Sequence, residues 1–191
     1  VFNLDSYIAT EFARRTGTKE EEAFVIGDGT GKPTGILAAT GGAQIGVTAA
    51  SATAITLDEV LDLFYSLKSP YRGRAAFLMN DATLGSIRKL KDGQGNYLWG
   101  MTKDSFMAGA VGTLLGYNVV TDDFMADIGA NAYPIAFGDF KQAYYVIERK
   151  GIAVLRDPAT AFPHVRFLAR RRVGGGIAKF EAVKLFKIAT S

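Results

Sequence analysis

The chain has 191 residues, of which 48% are hydrophobic and 12% aromatic, so it is long enough to bury a sizeable core. Its formal net charge is only +3, far from the concentrated positive charge expected of a dedicated nucleic-acid-binding protein. Because it has no cysteine, it can form no disulfide, no zinc–cysteine site and no thiol nucleophile. No stretch approaches the roughly 20 apolar residues that span a bilayer, so we expect no membrane partner.

The chain opens with a predicted amphipathic helix. Its apolar positions recur every fourth residue: Leu4, Ile8 and Phe12. Gly17 interrupts this pattern, so one long helix and two short ones stay open, and we favour one helix to about Phe24. The sequence starts with Val1-Phe2 rather than Met, almost directly inside the helix, so we expect it to be a segment of a longer protein.

A glycine-rich loop is predicted after the helix. Its defining residues are Gly27, Asp28, Gly29, Gly31, Pro33 and Gly35. Loops of this composition can cradle phosphate through backbone N–H groups. A P-loop, however, needs a glycine where Ile26 stands and Ser or Thr where Pro33 stands. We therefore interpret the segment as a tight structural loop, followed by a surface excursion of small and polar residues over 37–53.

Two helices and a strand are predicted next. Thr56 and Glu59 form a capping box ahead of a helix with apolar residues at helical spacing. Residues 75–79 are a short apolar run, which is typical of a buried strand. Asn80 or Asp81 then caps a second helix.

The second half of the chain is predicted to be mostly strands. Short runs rich in β-branched and aromatic residues lie between turn residues at 117–120, 135–137, 143–148 and 152–156. Two longer strands, 165–170 and 177–188, are predicted to close the chain. Helices combined with mostly antiparallel strands and no internal repeat predict an α+β fold.

No cluster of residues predicts catalysis, a metal site or a cofactor. His164 is the only histidine, so a histidine triad or a histidine-rich metal site would have to be built on this one ring. The carboxylates of Asp122, Asp123 and Asp127, and those of residues 20–22, lack the graded spacing of a calcium loop. We interpret the histidine as an ordinary strand residue and the carboxylates as solvated turns or helix faces.

The last quarter of the chain carries the one clear charge asymmetry. Its basic residues are Arg166, Arg170, Arg171, Arg172, Lys179, Lys184 and Lys187. They could meet nucleic-acid phosphates, or they could pair with an acidic surface such as residues 20–22 on a neighbouring subunit. No pattern of stacking aromatics accompanies them, which disfavours single-strand binding.

Several segments in order resemble the major capsid proteins of tailed double-stranded-DNA phages. The most specific is EEAFVIGDGTGKPTGIL at 21–37, which is similar to that family's exit from its spine helix into a glycine loop. KLKDGQGNYL at 89–98 is similar to the family's lysine–aspartate–glycine loop. LGYNVV at 115–120 resembles its leucine–glycine–x–proline–valine segment, with Asn118 in place of the usual proline. The remaining similar segments are 77–80, 138–140 and 171–180.

This resemblance implies the Hong Kong 97-type capsid fold. A peripheral domain would comprise residues 1–55 and 146–191, with the spine helix, the glycine loop and the final long strands. An axial α/β domain, residues 56–145, would be inserted between them. The family's N-terminal arm and extended loop precede the spine helix, so the chain would be the C-terminal two-thirds of such a protein.

The resemblance also implies a function and partners. The protein would be a phage or prophage major capsid protein that assembles with itself, as pentamers and hexamers, into an icosahedral shell around DNA. It would not be an enzyme and would need no cofactor. A scaffold or protease would act during assembly, and packaged DNA would be touched only weakly. The protein would pass from the host cytoplasm into the virion capsid.

Contacts between subunits replace an active site in this interpretation. We expect residues 91–108 to project toward the capsomer axis and residues 156–162 to form a peripheral tip. The candidate contact residues are Lys91, Asp92, Gln94, Arg156, Asp157, Arg170, Arg171 and Arg172. The alternatives are an encapsulin compartment of the same fold, a nucleotide-dependent enzyme using the glycine loop, and a DNA-binding module using the basic C-terminus.

We predict that subunits are not covalently crosslinked through residues 162–166. Some members of the family join a lysine to an asparagine, but this segment reads Phe-Pro-His-Val-Arg and contains no asparagine. Mass spectrometry of boiled particles should therefore find monomers. Ladders of subunits joined at these residues would contradict the prediction.

Overall fold

The structure is a computed structural model that describes residues 4–97, 112–157, 160 and 164–190. Its helices are α1 (Leu4–Ile26), α2 (Leu57–Ser66), α3 (Ser69–Arg72), α4 (Asp81–Arg88) and α5 (Phe140–Ala143), with a 3-10 turn at Phe180–Ala182. Its strands are β1 (Gln44–Thr48), β2 (Ala76–Met79), β3 (Thr113–Leu114), β4 (Tyr117–Thr121), β5 (Ile135–Gly138), β6 (Tyr144–Asp157), β7 (Arg166–Ile177) and β8 (Val183–Lys187). The mixture of helices and strands confirms the predicted α+β class.

Helix α1 is continuous through Gly17, as predicted. Its exposed face is held by ion pairs within one turn, including the pair between Glu11 and Arg15, whose atoms lie 2.7 Å apart. The helix is long but charged along its length, and among the described residues no helix is both long and apolar enough to cross a membrane.

The two predicted capping sites are confirmed. The Thr56 side chain accepts a hydrogen bond from the Glu59 N–H at the start of α2, and the Glu59 carboxylate accepts one from the Thr56 N–H at 2.8 Å. The same carboxylate accepts the N–H of Ala50 at 2.7 Å, which ties the preceding loop to the helix. Asn80 caps α4 by accepting from the Ala82 N–H at 2.8 Å.

A mixed six-stranded sheet forms the centre of the molecule, in the order β1-β8-β5-β2-β4-β3. Successive side chains along its strands point to opposite faces, so apolar residues form a separate core on each face of the sheet. On one face α2 and α4 cover Phe77, Phe137 and Phe186, and the rings of Phe77 and Phe137 stack at 4.2 Å. On the other face the end of α1 and the segment after the glycine loop contribute Val25 and Ile36.

Strands β6 and β7 form a separate two-stranded hairpin. They pair antiparallel from Tyr144 opposite Ile177 to Asp157 opposite Arg166, so the two predicted short strands at 143–148 and 152–156 are one strand. The register shifts twice, between residues 148 and 150 and between 150 and 153. These irregularities explain why the sequence suggested a break, since Gly151 lies among them.

Two predictions for the connecting segments are wrong. The excursion at 37–53 contains strand β1, which pairs parallel with β8 and lies at the edge of the sheet. Strand β1 has only five residues, with Gly46 at its centre; Val47 packs against the core while Ile45 is 46% exposed, so the sequence did not reveal it. The predicted strand at 177–188 is interrupted, because the chain leaves the hairpin at Ile177 and turns at Phe180–Ala182 before it enters the sheet as β8.

The sheet pairing also bears on the expected domain boundaries. Strands β1 and β8 belong to segments 1–55 and 146–191, which were assigned to a peripheral domain, yet both pair in the same sheet as the strands of segment 56–145. The hydrogen-bonded pairing of β5 with β8 therefore crosses the expected boundary between residues 145 and 146. The division into two domains itself stays a prediction.

The glycine loop joins α1, the sheet and the hairpin. Its two ends pair across Asp28 and Thr34, and the N–H of Gly35 donates to the carbonyl of Gly27 at 2.8 Å. The Thr34 N–H donates to the Gly175 carbonyl at 2.9 Å, and the Tyr144 hydroxyl donates to the Thr34 carbonyl at 2.8 Å. The loop thus fastens the hairpin to the end of the helix.

The remaining residues of the loop shape this turn. Asp28 accepts the Thr30 N–H at 2.9 Å and lies 3.6 Å from the Lys32 ammonium, and these contacts, the Thr30 bond foremost, lower the pKa of its carboxyl. Gly29 and Gly31 have φ of 81° and 69°. Pro33 is buried, with its carbonyl against the Gly27 backbone.

We predict that Gly35→Ala destabilises the protein and that Gly17→Ala does not. A Cβ on Gly35 would lie 2.5 Å from the Gly27 nitrogen and the Val25 carbonyl oxygen, so backbone must move, at a cost of roughly 2 kcal/mol. A Cβ on Gly17 meets nothing within 4 Å and should stabilise helix α1 by about 0.5–1 kcal/mol. Thermal unfolding of both variants measures the difference, and equal midpoints would contradict it.

Candidate assembly surfaces

The predicted contact residues lie in three places. Lys91, Asp92 and Gln94 are in the loop after α4, Arg156 and Asp157 are at the far end of β6, and Arg170 to Arg172 are in the middle of β7. The structure does not bring the first group together with the other two into one cluster.

The loop after α4 is organised around Asp92. Its carboxylate accepts the N–H of Gln94 at 2.9 Å, the N–H of Asn96 at 2.8 Å and the side-chain amide of Asn96 at 3.1 Å. The two Asn96 bonds are the main cause of the lowered pKa of Asp92. Lys91 pairs with Tyr97 across the loop and places its ammonium 4.9 Å from the ring centre.

These contacts divide the predicted group by role. Asp92 holds the loop in shape, whereas Lys91 and Gln94 are exposed and free to contact another molecule. The expectation that residues 91–108 project toward the capsomer axis stays a prediction, because residues 98–108 lie outside the described part of the chain.

The end of β6 shows a similar division. Arg156 is exposed, and no ion pair joins it to another described residue. Asp157 accepts hydrogen bonds from both the hydroxyl and the N–H of Thr160, so it supports the turn that follows the strand. Most of the predicted tip, residues 158–159 and 161–162, lies outside the described residues.

The three adjacent arginines of β7 point to opposite faces of the hairpin. Arg171 faces α1, and its Nε lies 2.9 Å from the Glu20 carboxylate and 3.3 Å from the Glu148 carboxylate. This contact is an ion pair rather than an aligned hydrogen bond. The acidic surface that the sequence suggested as a partner on a neighbouring subunit is thus engaged, through Glu20, within the same chain.

Arg170 and Arg172 face the other side, where they line what we call the cationic cleft. Arg172 lies opposite Lys150 across the hairpin, and the register shifts in β6 place Arg149 beside them. The cleft has a volume of about 330 Å³ and is lined by Arg149, Lys150, Arg170 and Arg172. The sequence did not indicate that Arg149 and Lys150 belong to this cleft, since a strand without a bulge would turn them to opposite faces.

The hairpin also exposes large apolar side chains. On the face of the cationic cleft, the exposed fraction is 68% for Ile147, 63% for Leu155 and 55% for Tyr145. Val146 and Val154, on the opposite face, are about half exposed. Several large exposed apolar side chains on one hairpin are typical of a surface that contacts other molecules.

A second concave surface lies between α1 and the sheet. This groove of about 500 Å³ has an apolar floor of Phe24, Val25, Ile36 and Leu78 and acidic side chains at Glu20, Glu21 and Asp122. Burial raises the pKa of Asp122, and the nearby Asp123 carboxylate adds to the effect. Glu20 is already paired with Arg171, so the groove is a junction between elements of the fold rather than a free acidic site.

The remaining sequence candidates form no chemical site. His164 is exposed at the start of β7. Among residues 4–97, 112–157, 160 and 164–190, no three His, Cys, Asp or Glu side chains are grouped so that they could hold a metal ion. Several backbone groups of the glycine loop are hydrogen-bonded to the end of α1 and to the hairpin, which agrees with its interpretation as a tight structural loop.

We predict that Arg171 and Glu20 are coupled in stability. Their side chains are only 27% and 16% exposed, so the pair should contribute about 1 kcal/mol in a double-mutant cycle of Arg171→Met and Glu20→Gln. Arg170→Met is the matched control, because Arg170 is exposed and has no ion pair among the described residues. Urea unfolding of the variants measures the coupling, and additive losses would contradict it.

Known proteins are similar to this chain in both fold and sequence. Two solved capsid structures, of an empty and of a native GTA particle, match with 40% and 39% identity, each at a TM-score of 0.88, over 99% of this chain and 67% of the matched chain. A chain from Gordonia phage Cozz shares the fold at a TM-score of 0.66 and 13% identity, over 100% of this chain and 68% of its own. No curated protein matched. The model of the phage capsid family matches residues 1–188, and the chain belongs to that family.

Proposed function

We propose that the chain is the shell-forming part of a major capsid protein and that it builds an icosahedral particle by repeated contacts with copies of itself. The observation that carries this proposal is the 40% identity to the capsid of a GTA particle over 99% of the chain. The particle would be a phage head or a related phage-like particle. This capsid likeness favours the proposal over an encapsulin compartment.

The exposed surfaces support a function based on self-contact. The hairpin carries half-exposed apolar side chains on both faces and, on one face, a group of cations that form no ion pair with a described residue. A monomer gains nothing from such a surface, whereas a subunit that is surrounded by neighbours can bury it. Contacts between two different surfaces of identical subunits generate closed rings, which pentamers and hexamers require.

No catalytic step is part of the proposal. The described residues hold no group of metal ligands, and the protein is proposed to act through its shape and its contacts alone. It requires no cofactor. In the proposed order of events, subunits collect in the host cytoplasm, a scaffold or protease assists assembly, and packaged DNA meets the finished shell through weak, non-specific contacts.

The test is whether the protein expressed from its natural gene forms closed shells. Electron microscopy should show icosahedral particles in which this chain forms the continuous wall. Arg156→Glu should reduce their yield, because Arg156 is exposed and unpaired within the described chain, so its reversal leaves the fold intact. If one contact per subunit loses about 1 kcal/mol, the assembly threshold rises roughly fivefold.

One control makes this test specific. Lys141→Glu reverses an exposed charge on α5, which directly precedes β6 at the opposite end of the hairpin from Arg156, and should assemble like the parent. Asp157→Lys is a poorer probe, since Asp157 also supports the turn at Thr160. If Arg156→Glu forms normal shells, the end of the hairpin is not part of the contact surface. If the unaltered protein forms no shells under any condition, the proposed function is contradicted.

A further inference from the structure

We propose that the cationic cleft of one subunit receives the acidic face of helix α2 from a second copy. The acidic face of α2 consists of Asp58, Asp62 and Tyr65, which lie one turn apart along the exposed side of the helix. This inference rests on the proposed function and specifies one of the contacts that assembly requires.

The cations of the cleft are not compensated by the part of their own chain that the structure describes. Arg149, Lys150, Arg170 and Arg172 are all exposed, and none forms an ion pair with a described residue. The neighbouring Arg171 is different, because two carboxylates neutralise it. The bulge in β6 interrupts the hydrogen-bonded ladder and brings Arg149 beside the cross-strand pair of Lys150 and Arg172. Three cations are therefore held close together. Like charges held this close favour an anionic partner.

The surroundings of the cleft favour a protein as that partner. Ile147, Leu155 and Tyr145 flank the cations on the same face, and each is more than half exposed. Protein interfaces combine apolar and aromatic side chains with arginine in this way. A nucleic-acid backbone offers phosphates but no apolar surface that would bury the two aliphatic chains.

The chain itself offers a convex acidic element of matching size. Asp58 and Asp62 are exposed, and neither forms an ion pair within the described residues. They are one helical turn apart, a rise of about 6 Å. Arg170 and Arg172, two residues apart on a strand, are separated by about 6.6 Å. Each carboxylate can therefore face one row of cations at the same time.

Tyr65 extends this match beyond charge. It is 67% exposed one turn after Asp62, so it can cover the apolar side chains that flank the cleft. The two surfaces are different parts of one chain, so the contact joins subunits head to tail. That geometry closes a ring when the rotation between subunits is suitable.

Charge reversal tests the pairing in the protein expressed from its natural gene. Arg170→Glu with Arg172→Glu, or Asp58→Lys with Asp62→Lys, should each reduce the yield of closed particles at least about tenfold, the effect of losing one strong polar contact. Combining the four substitutions restores opposite charges and should recover particles. Asp127→Lys, an exposed carboxylate elsewhere, and Lys141→Glu are the matched controls, and circular dichroism verifies folding of every variant.

A zero-length crosslink tests the contact without changing any charge. Lys150 is the only lysine that lines the cleft, so carbodiimide treatment of assembled particles should join its amine to Asp58 or Asp62 as an amide. Particles made from mixed light and heavy-isotope subunits should give mixed peptides, which proves that the link joins two copies. Lys150→Arg keeps the charge and should remove this peptide.

The outcomes separate the explanations. The pairing is overturned if the variant with all four substitutions does not recover particles, or if no link forms between Lys150 and α2. Either result would show that another surface fills the cleft. Normal empty shells that lose only their DNA after reversal of Arg170 and Arg172 would assign the cleft to nucleic acid instead. In each of these cases the unaltered protein still assembles, so the proposed function survives the loss of this inference.

Discussion

The hydrogen-bonded junction around Thr34 determines how every other surface is presented. Its N–H donates to Gly175 in β7 and its carbonyl accepts the hydroxyl of Tyr144 in β6, while Gly35 folds back onto the end of α1. Burial raises the pKa of Tyr144 to about 12, so the hydroxyl keeps its proton and remains a donor across the physiological range. Because the loop touches helix, sheet and hairpin together, a change there would tilt all three.

The junction permits a hairpin that could not stand alone. A two-stranded ribbon with polar and apolar side chains on both faces has little stability in water. Here the hairpin is anchored at its base by the Thr34 contacts and near its middle by the ion pair of Arg171 with Glu20. Beyond Arg171 the strands continue with exposed apolar residues such as Leu155. The central sheet is the opposite case, since its two cores bury Phe77 and Phe137 completely. Stability is therefore concentrated in the sheet, and the hairpin is left available for contact.

Local signals in the sequence were sufficient wherever a feature depends on neighbouring residues. Capping by Thr56 and Asn80 and the buried strand β2 were predicted correctly, because a cap or an apolar run is complete within a few positions. Strand β1 was missed because its place depends on a partner more than 130 residues away. The same limit hid the cationic cleft: Arg149 and Lys150 join Arg170 and Arg172 only through a bulge and a cross-strand register that no single segment reveals.

The distribution of charge explains why the subunit should associate head to tail rather than as a symmetric pair. The net charge is only +3, yet the ion pairs within the chain leave cations in excess on the hairpin and carboxylates in excess on α2. A symmetric dimer through the cleft would bring two groups of cations together, and one through α2 would bring carboxylates together. Both arrangements are repulsive, whereas cleft against helix is attractive. A nearly neutral subunit with separated charges thus disfavours twofold pairing and favours the directional contact from which rings are built.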